Sequence, residues 1–366
     1  MYKILTVVGT RPNIIKITQF HKVIKNHPQV QHFLVHTGQH FSANMNDLFF
    51  EELSLPLPDF SFDIDRSSVI SQMTDMMKGL EKVVNDLKPD LMLVVGDVNS
   101  TLAAALVANK MGVKLGHIES GLRSYDKTMP EEHNRVITDS ITDYFFVTEQ
   151  SGYDNLIQEG KSPSKLFFVG NTMIDTLVAY KAEISASEIC KKLDVIPQQY
   201  CLMTMHRPGN VDEKKGLEKL VELITRLSAD IKVVFPIHPR TLNNLKKYEL
   251  YSKIEKNTNV LLTEPAGYLD FQNLISNCAY VVTDSGGIQE ETTFMQVPCI
   301  TLRPNTERPV TCTLGSNTLC EFELSQVLAL INQIKNKTYK KGEIPKLWDG
   351  NATKRIFESI TEVILK

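Results

Sequence analysis

The sequence has no stretch approaching about eighteen consecutive apolar residues, which excludes a transmembrane helix. Its six cysteines (Cys190, Cys201, Cys278, Cys299, Cys312 and Cys320) contain no CxxC pair, so neither a zinc ribbon nor a disulfide framework is indicated. Several sit in apolar runs such as VPCI and read as buried free thiols of a reducing cytoplasm. There is no GxGxxG and no GxxxxGK[ST], which leaves nicotinamide, flavin and P-loop sites without support. Charge of one sign is also lacking: 40 Lys and Arg against 43 Asp and Glu give a net charge of -3. Bulk attraction to nucleic acid or to an acidic membrane is therefore absent. Glycine (18) and proline (16) are too few and too scattered for a fibrous or disordered chain. The opening MYKILTVVGTRPN has a very short apolar run before Arg11, so it reads as a first strand rather than a signal peptide.

What is present is a long run of alternating elements. At about 150 residues per domain, 366 residues point to two domains. Apolar runs such as KILTVVG, QHFLVHTG, DLMLVVGD, KLGHIES and DYFFVTE alternate with stretches of helical spacing such as PNIIKITQFHKVIKNH and STLAAALVANKMG. Continuous Val, Ile and Leu runs indicate strands covered on both faces, as in a parallel sheet wrapped by helices. The alternation pauses at ISASEICKKLDVIPQQ and restarts at YCLMTMH, which puts a domain switch between Gly170 and Ile184. The reading is α/β: two doubly wound Rossmann-like domains, 1–171 and 172–349, with a cleft between them. A final amphipathic helix, 350–366, is expected to pack back on the first domain.

Polar residues gather where apolar strands end, which is where open parallel sheets bind ligands. The ends are Gly9-Thr10-Arg11-Pro12, Gly96-Asp97, Glu119, His206-Arg207, His238 and Asp284-Ser285-Gly286-Gly287. In DSGGIQEE, Gly286 and Gly287 let the backbone approach a ligand, and Ser285 with the first helical N–H groups suits an anion. Glu291, further along, is placed for a ribose diol; a capping serine with turn glycines is the plainer alternative. Arg11 and Lys16 flank the first helix start and suit a diphosphate, as does Arg308 in NTERP; solvated surface charge is the alternative for each. Asp97, Glu119 and Glu131 are the acid and base candidates. Two of them in one cleft would raise at least one pKa toward neutrality. A cap is the plainer reading of Asp97, and a helix first turn that of Glu131. Glu119 ends a buried strand and is hardest to explain structurally. Phe271 suits stacking on a base or a helix core. His21, His27 and His32 read as surface residues of the first helix.

The segments GTRPNIIK, GDVNSTLAAALVA, HIESGLRS, MPEEHNR, VGNTMIDT, MHRPGNVD, PIHPRT, GYLDF, DSGGIQEE and NTERP resemble, in order and nearly end to end, the non-hydrolysing UDP-N-acetylglucosamine 2-epimerases. The resemblance implies a glycosyltransferase-B-type fold, a homodimer in the cytoplasm and a UDP-sugar substrate, with no cofactor, metal, nucleic acid or membrane partner. It implies catalysis by Asp97, Glu119, Glu131 and His206. Substrate binding falls to Arg11, Lys16, Arg207, His238, Phe271, Ser285, Gly286, Gly287, Glu291 and Arg308. The implied reaction eliminates UDP, passes through 2-acetamidoglucal, and returns a proton to the opposite face, supplying precursors of surface polysaccharide. HTGQHFSANM is also similar to the branch that acts on UDP-2,3-diacetamido-glucuronic acid. A retaining UDP-sugar glycosyltransferase and a hydrolysing epimerase are the alternatives from other classes; the first needs an acceptor and the second releases free N-acetylmannosamine.

Members often read PEAIK where this chain has Pro12-Asn13-Ile14-Ile15-Lys16. Many bacterial members follow the histidine with two arginines, where Arg207 here precedes Pro208-Gly209, and many carry Leu where Ala266 stands. Some of these positions serve an activating second UDP-N-acetylglucosamine in bacterial members. Initial rates for this chain should therefore follow a simple hyperbola in substrate, and a strongly sigmoidal curve would contradict that expectation.

Overall fold

The computed structural model describes residues 1–39 and 49–365. Part of the HTGQHFSANM pattern, from His40 on, lies outside the described residues. The chain divides into two compact units, Met1–Ala179 with the residues from Lys346 on, and Tyr180–Pro345. The first break, at 179/180, lies within the expected switch between Gly170 and Ile184 but beyond 171/172, and the second falls at 345/346 rather than at 349/350. The helix Thr172–Ala179 stays with the first unit because Thr176 bonds the Thr18 hydroxyl at 2.6 Å and the Ile15 carbonyl at 2.5 Å.

In the first unit seven strands form one parallel sheet: β1 (Tyr2–Val8), β2 (Val30–His36), β3 (Phe60–Ser61), β4 (Leu91–Val95), β5 (Lys114–Ser120), β6 (Tyr144–Val147) and β7 (Leu166–Phe168), in the order β3-β2-β1-β4-β5-β6-β7. The order reverses direction between β1 and β4, the switch point where doubly wound sheets open a crevice. The central strand β4 is buried along its whole length. The helix Asn99–Met111 packs close to it because its inner face is Ala103, Ala104, Ala105 and Ala108, all without exposed surface. His32, expected at the surface in or near the first helix, lies half-buried on β2. Its ring bonds the Thr6 hydroxyl at 2.8 Å, and burial pushes its pKa down to about 4.

The second unit repeats the plan with β8 (Tyr200–Thr204), β9 (Lys232–Pro236), β10 (Val260–Thr263), β11 (Tyr280–Thr283), β12 (Cys299–Leu302) and β13 (Asn317–Cys320), in the order β10-β9-β8-β11-β12-β13. Alternate residues serve opposite faces, as the two-residue strand period demands. Cys201, Met203, Val233, Phe235, Tyr280, Val282 and Ile300 join one core, and Tyr200, Leu202, Val234, Val281 and Cys299 the other. The helix Lys214–Ser228 covers the first core with Leu217, Leu220, Val221, Leu223, Ile224 and Leu227, at helical spacing. The six cysteines are free thiols, four of them buried.

The C-terminal helix Ala352–Ser359 ends in a π-helical turn, Ile360–Ile364, and belongs to the first unit. Its start is capped from far away in sequence: the Asp175 carboxylate accepts the Ala352 amide at 3.0 Å and the Thr353 amide at 2.6 Å. Its buried Phe357 meets Phe20 edge-on at 5.2 Å. The single tryptophan, Trp348, is buried beside this helix and donates to the Thr148 carbonyl at 3.1 Å. Truncating Phe357 to Ala should destabilise the first unit by about 3 kcal/mol or more. Urea unfolding followed by the fluorescence of Trp348 measures it, and an unchanged midpoint would contradict this packing.

Candidate functional site

The six polar strand ends divide evenly between the units. In the first unit they follow β1, β4 and β5. After β1, the helix Arg11–Ile17 begins with Pro12 in its first turn, and Asn13, Ile14, Ile15, Lys16 and Ile17 are buried. Asn13 holds the turn together: its carbonyl oxygen accepts the Thr10 hydroxyl at 3.0 Å, and its amide donates to the Val95 carbonyl at 3.0 Å. Lys16 turns its ammonium inward onto Glu119, and the two form a buried ion pair. Arg11, half-buried, lies over the Phe49 ring at 4.8 Å.

Glu119 sits where β5 loses its regular register against β6, between Ile118 and Ser120. Its φ is 71°, in the left-handed region that costs a residue with a side chain about 1–3 kcal/mol. Such strain, with a bulge that re-aims one side chain, marks a site rather than a scaffold. Opposite lies Gly96, whose φ of 67° closes the turn after β4. A Cβ there would lie 3.4 Å from the Asn13 amide, 3.5 Å from the Lys16 ammonium and 3.7 Å from the Glu119 carboxylate. These three groups therefore converge on Gly96, where the positive φ, rather than lack of space, is what a side chain would disfavour.

Asp97 does not cap the helix that follows it, whose N-cap is Val98. Its carboxylate instead takes the Arg135 guanidinium at 2.5 Å, and its backbone carbonyl accepts Asn134 at 2.9 Å. Arg135 also binds Glu132 at 2.7 Å. Each strand-end carboxylate is thus matched to a cation, Asp97 to Arg135 and Glu119 to Lys16, rather than left facing another carboxylate. Glu131 is exposed on the first turn of the helix Pro130–Ile141, and its carboxylate makes no hydrogen bond or ion pair among the described residues. Its neighbour Glu132 is buried and accepts the Ser124 and Tyr125 amides, each at 2.9 Å. Burial works against the Glu132 charge, but those bonds and Arg135 hold its carboxyl below the ordinary range.

In the second unit the ends follow β8, β9 and β11. His206 and Arg207 are half-buried and His238 is exposed. The residue that sequence reasoning passed over is Asp284, fully buried at the end of β11. It accepts His206 Nδ1 at 2.9 Å, the His206 amide at 3.0 Å, the Arg207 amide at 2.8 Å and the Asn210 side chain at 3.2 Å. Burial opposes its charge, yet His206 and the two amides hold the carboxyl below its usual range. The His206 and His238 rings lie 5.6 Å apart. Partial desolvation, with repulsion from His206 and Arg240, lowers the His238 pKa. Its Nδ1 accepts the Arg240 amide at 3.1 Å, which leaves Nε2 as a donor.

These histidines line a cleft of about 190 Å³ with Pro265, Ala266, Phe271, Ser285 and Ile288. Phe271 offers a ring to its wall and is not wholly a core residue. Ser285 is the N-cap of the helix Gly286–Met295, and its hydroxyl makes no capping bond. The amides of that first turn suit an anion. A Cβ on Gly286 would come within 3.0 Å of both Arg308 and Glu307. Arg308, expected as a substrate ligand or a surface charge, is buried beside this turn, paired with Glu290 at 2.8 Å and with Glu307. Arg303 joins at 2.9 Å from Glu307. Gly287 is half-buried on the same turn, and Glu291 is buried one turn on. Among the described residues, no group of three or more His, Cys, Asp or Glu has metal-holding geometry.

Two doubly wound units with anion-ready helix starts and charged strand ends define an α/β protein of the glycosyltransferase-B type. Residues 22–361 match the family model for UDP-N-acetylglucosamine 2-epimerase, and the chain belongs to that family. It is 42% identical over 361 residues, 97% of each chain, to the UDP-N-acetylglucosamine 2-epimerase of Methanococcus maripaludis. It is 36% identical, over 99% of this chain and the whole of the relative, to the UDP-2,3-diacetamido-2,3-dideoxy-D-glucuronate 2-epimerase of Pseudomonas aeruginosa. The crystal structure of Methanocaldococcus jannaschii UDP-GlcNAc 2-epimerase, in complex with UDP-GlcNAc and UDP, superposes with a TM-score of 0.90 at 38% identity, covering 98% of this chain and 99% of that one.

Replacing Asp284 with Ala should leave the His206 and Arg207 amides without an acceptor and cost about 1–3 kcal/mol. The depressed pKa sets the sign: the carboxylate's contribution is full above its unfolded value and is lost as pH falls through the folded one. The gap from wild type in urea unfolding should hold from neutral pH to about 4 and narrow below it. A gap that widens on acidification would contradict the arrangement.

Proposed function

We propose that this chain interconverts UDP-N-acetylglucosamine and UDP-N-acetylmannosamine by eliminating UDP to give 2-acetamidoglucal and adding it back. The observation that carries the reading is Glu119, a carboxylate on a strained strand end and paired with a buried ammonium, in a chain of this family. The hydrogen on carbon 2 is poorly acidic, because no ketone adjoins it. Departure of the diphosphate from carbon 1 builds positive charge next to carbon 2 and makes its hydrogen removable. A carboxylate must then take that proton, while cations and amides receive the diphosphate.

The first unit supplies carboxylates for proton transfer, Glu119 and Asp97 in the crevice and Glu131 on the exposed helix start. Lys16 and Arg11 add positive charge there. The second unit supplies the grip on UDP. His206 is aimed by Asp284, Arg207 and His238 flank it, Phe271 offers a face for the base, and Ser285, Gly286 and Gly287 present first-turn amides to phosphate. Glu291 serves the ribose, and Arg308 holds the phosphate-binding turn. The diacetamido-glucuronate substrate is the less favoured reading, since its Pseudomonas relative is less similar than the Methanococcus epimerase. On the family resemblance the reading includes a cytoplasmic homodimer serving surface polysaccharide synthesis.

Proton NMR of the purified protein with UDP-N-acetylglucosamine in deuterated water tests this. The manno epimer should appear without any acceptor, carry deuterium at carbon 2, and reach an equilibrium. Dependence on an acceptor would point to a transferase, and accumulation of free N-acetylmannosamine to a hydrolysing enzyme; either contradicts the proposal.

A further inference from the structure

Behind the two carboxylate-bearing turns of the first unit lies a charged network that the reaction as described does not use. His117, on β5, has no exposed surface. Its Nε2 lies 2.8 Å from the Gly96 carbonyl and its Nδ1 2.7 Å from the Asp139 carboxylate. A carbonyl oxygen only accepts, so Nε2 carries a hydrogen. Asp139, also without exposed surface, accepts the Gly121 amide at 3.0 Å and the Arg123 guanidinium at 2.7 Å. Burial works against its charge, but His117 and Arg123 outweigh it and hold the carboxyl below its ordinary range. An ionised carboxylate only accepts too, so Nδ1 also carries a hydrogen.

We propose that His117 is an imidazolium that positions both catalytic turns, tying the Gly96-Asp97 turn to the segment that carries Glu119. One bond fixes the carbonyl of the residue before Asp97. The other reaches Asp139, which in turn fixes Gly121, two residues beyond Glu119. Arg123 completes the network by donating to the exposed Glu159 at 2.8 Å, so its guanidinium links the buried Asp139 to a surface carboxylate. Other groups nearby are accounted for. Asp97 is taken by Arg135, Glu119 by Lys16, and the adjacent strand β6 brings Phe145 alongside His117. His117 touches no part of the site itself, so it is a positioning residue and acts through Asp97 and Glu119.

The inference about catalysis rests on the epimerase reading; the charge state of His117 does not, and the two are tested apart. Ring-nitrogen NMR of the resting wild-type protein at neutral pH should show the two nearly equal shifts of an imidazolium for His117. Unequal shifts, as for one protonated and one bare nitrogen, would overturn the proposal whatever the protein catalyses. Asp139→Asn removes the countercharge. In that variant kcat should fall on the order of 100-fold, with KM for UDP-N-acetylglucosamine within about threefold of wild type. Wild-type kcat in a folded Asp139→Asn would overturn the positioning role.

Discussion

A glutamate held in left-handed backbone at the end of a buried strand is the constraint from which the first half of this protein follows. Glu119 adopts a φ that a side chain disfavours, and the neighbouring structure over-determines it. Lys16 draws its carboxylate toward Gly96, and Asp139 pins the backbone two residues beyond it. The register slip in β5 re-aims the side chain, and its carboxylate comes to lie beside Gly96. Removing strain at this point would give a more regular strand and point the carboxylate elsewhere.

The two units share a strand order but not a chemistry. At the ends of its strands the first carries carboxylates matched to inward-facing cations. At the same ends the second carries histidines and arginines around a helix start, with one buried aspartate to aim them. Open parallel sheets leave these ends free for either use, because the packed faces of the sheet do not depend on them. Elimination of a nucleoside diphosphate needs both kinds: a group to accept a proton and a setting that receives the charge of the departing diphosphate better than water does. The buried carboxylates Glu119, Glu132, Asp139 and Asp284 are each met by a cation or imidazole within the same unit, which offsets the cost of burying them.

Much of this was legible in the sequence because it depends on local pattern. Buried strands announce themselves as apolar runs, and their polar ends named Arg11, Asp97, Glu119, His206 and Ser285. What stayed hidden depends on partners distant in the chain. Nothing local distinguishes Glu132, buried under Arg135, from its exposed neighbour Glu131. Asp284 is visible in the sequence as the start of a polar strand end, yet its role appears only when β11 lies beside β8 and His206 comes within reach. Arg308 looked like a loop charge until the helix Gly286–Met295 closed over it. The unit boundary moved because Thr176 finds its partners in the first helix, a contact no pattern near residue 176 reveals.

The central claim is that Glu119 moves the proton at carbon 2. The direct measurement is solvent deuterium exchange into carbon 2 of UDP-N-acetylglucosamine by Glu119→Gln, beside calorimetric binding of UDP to the same protein. The account predicts exchange reduced on the order of 1000-fold or more, with UDP binding within about threefold of wild type. Exchange near the wild-type rate with binding intact would contradict it.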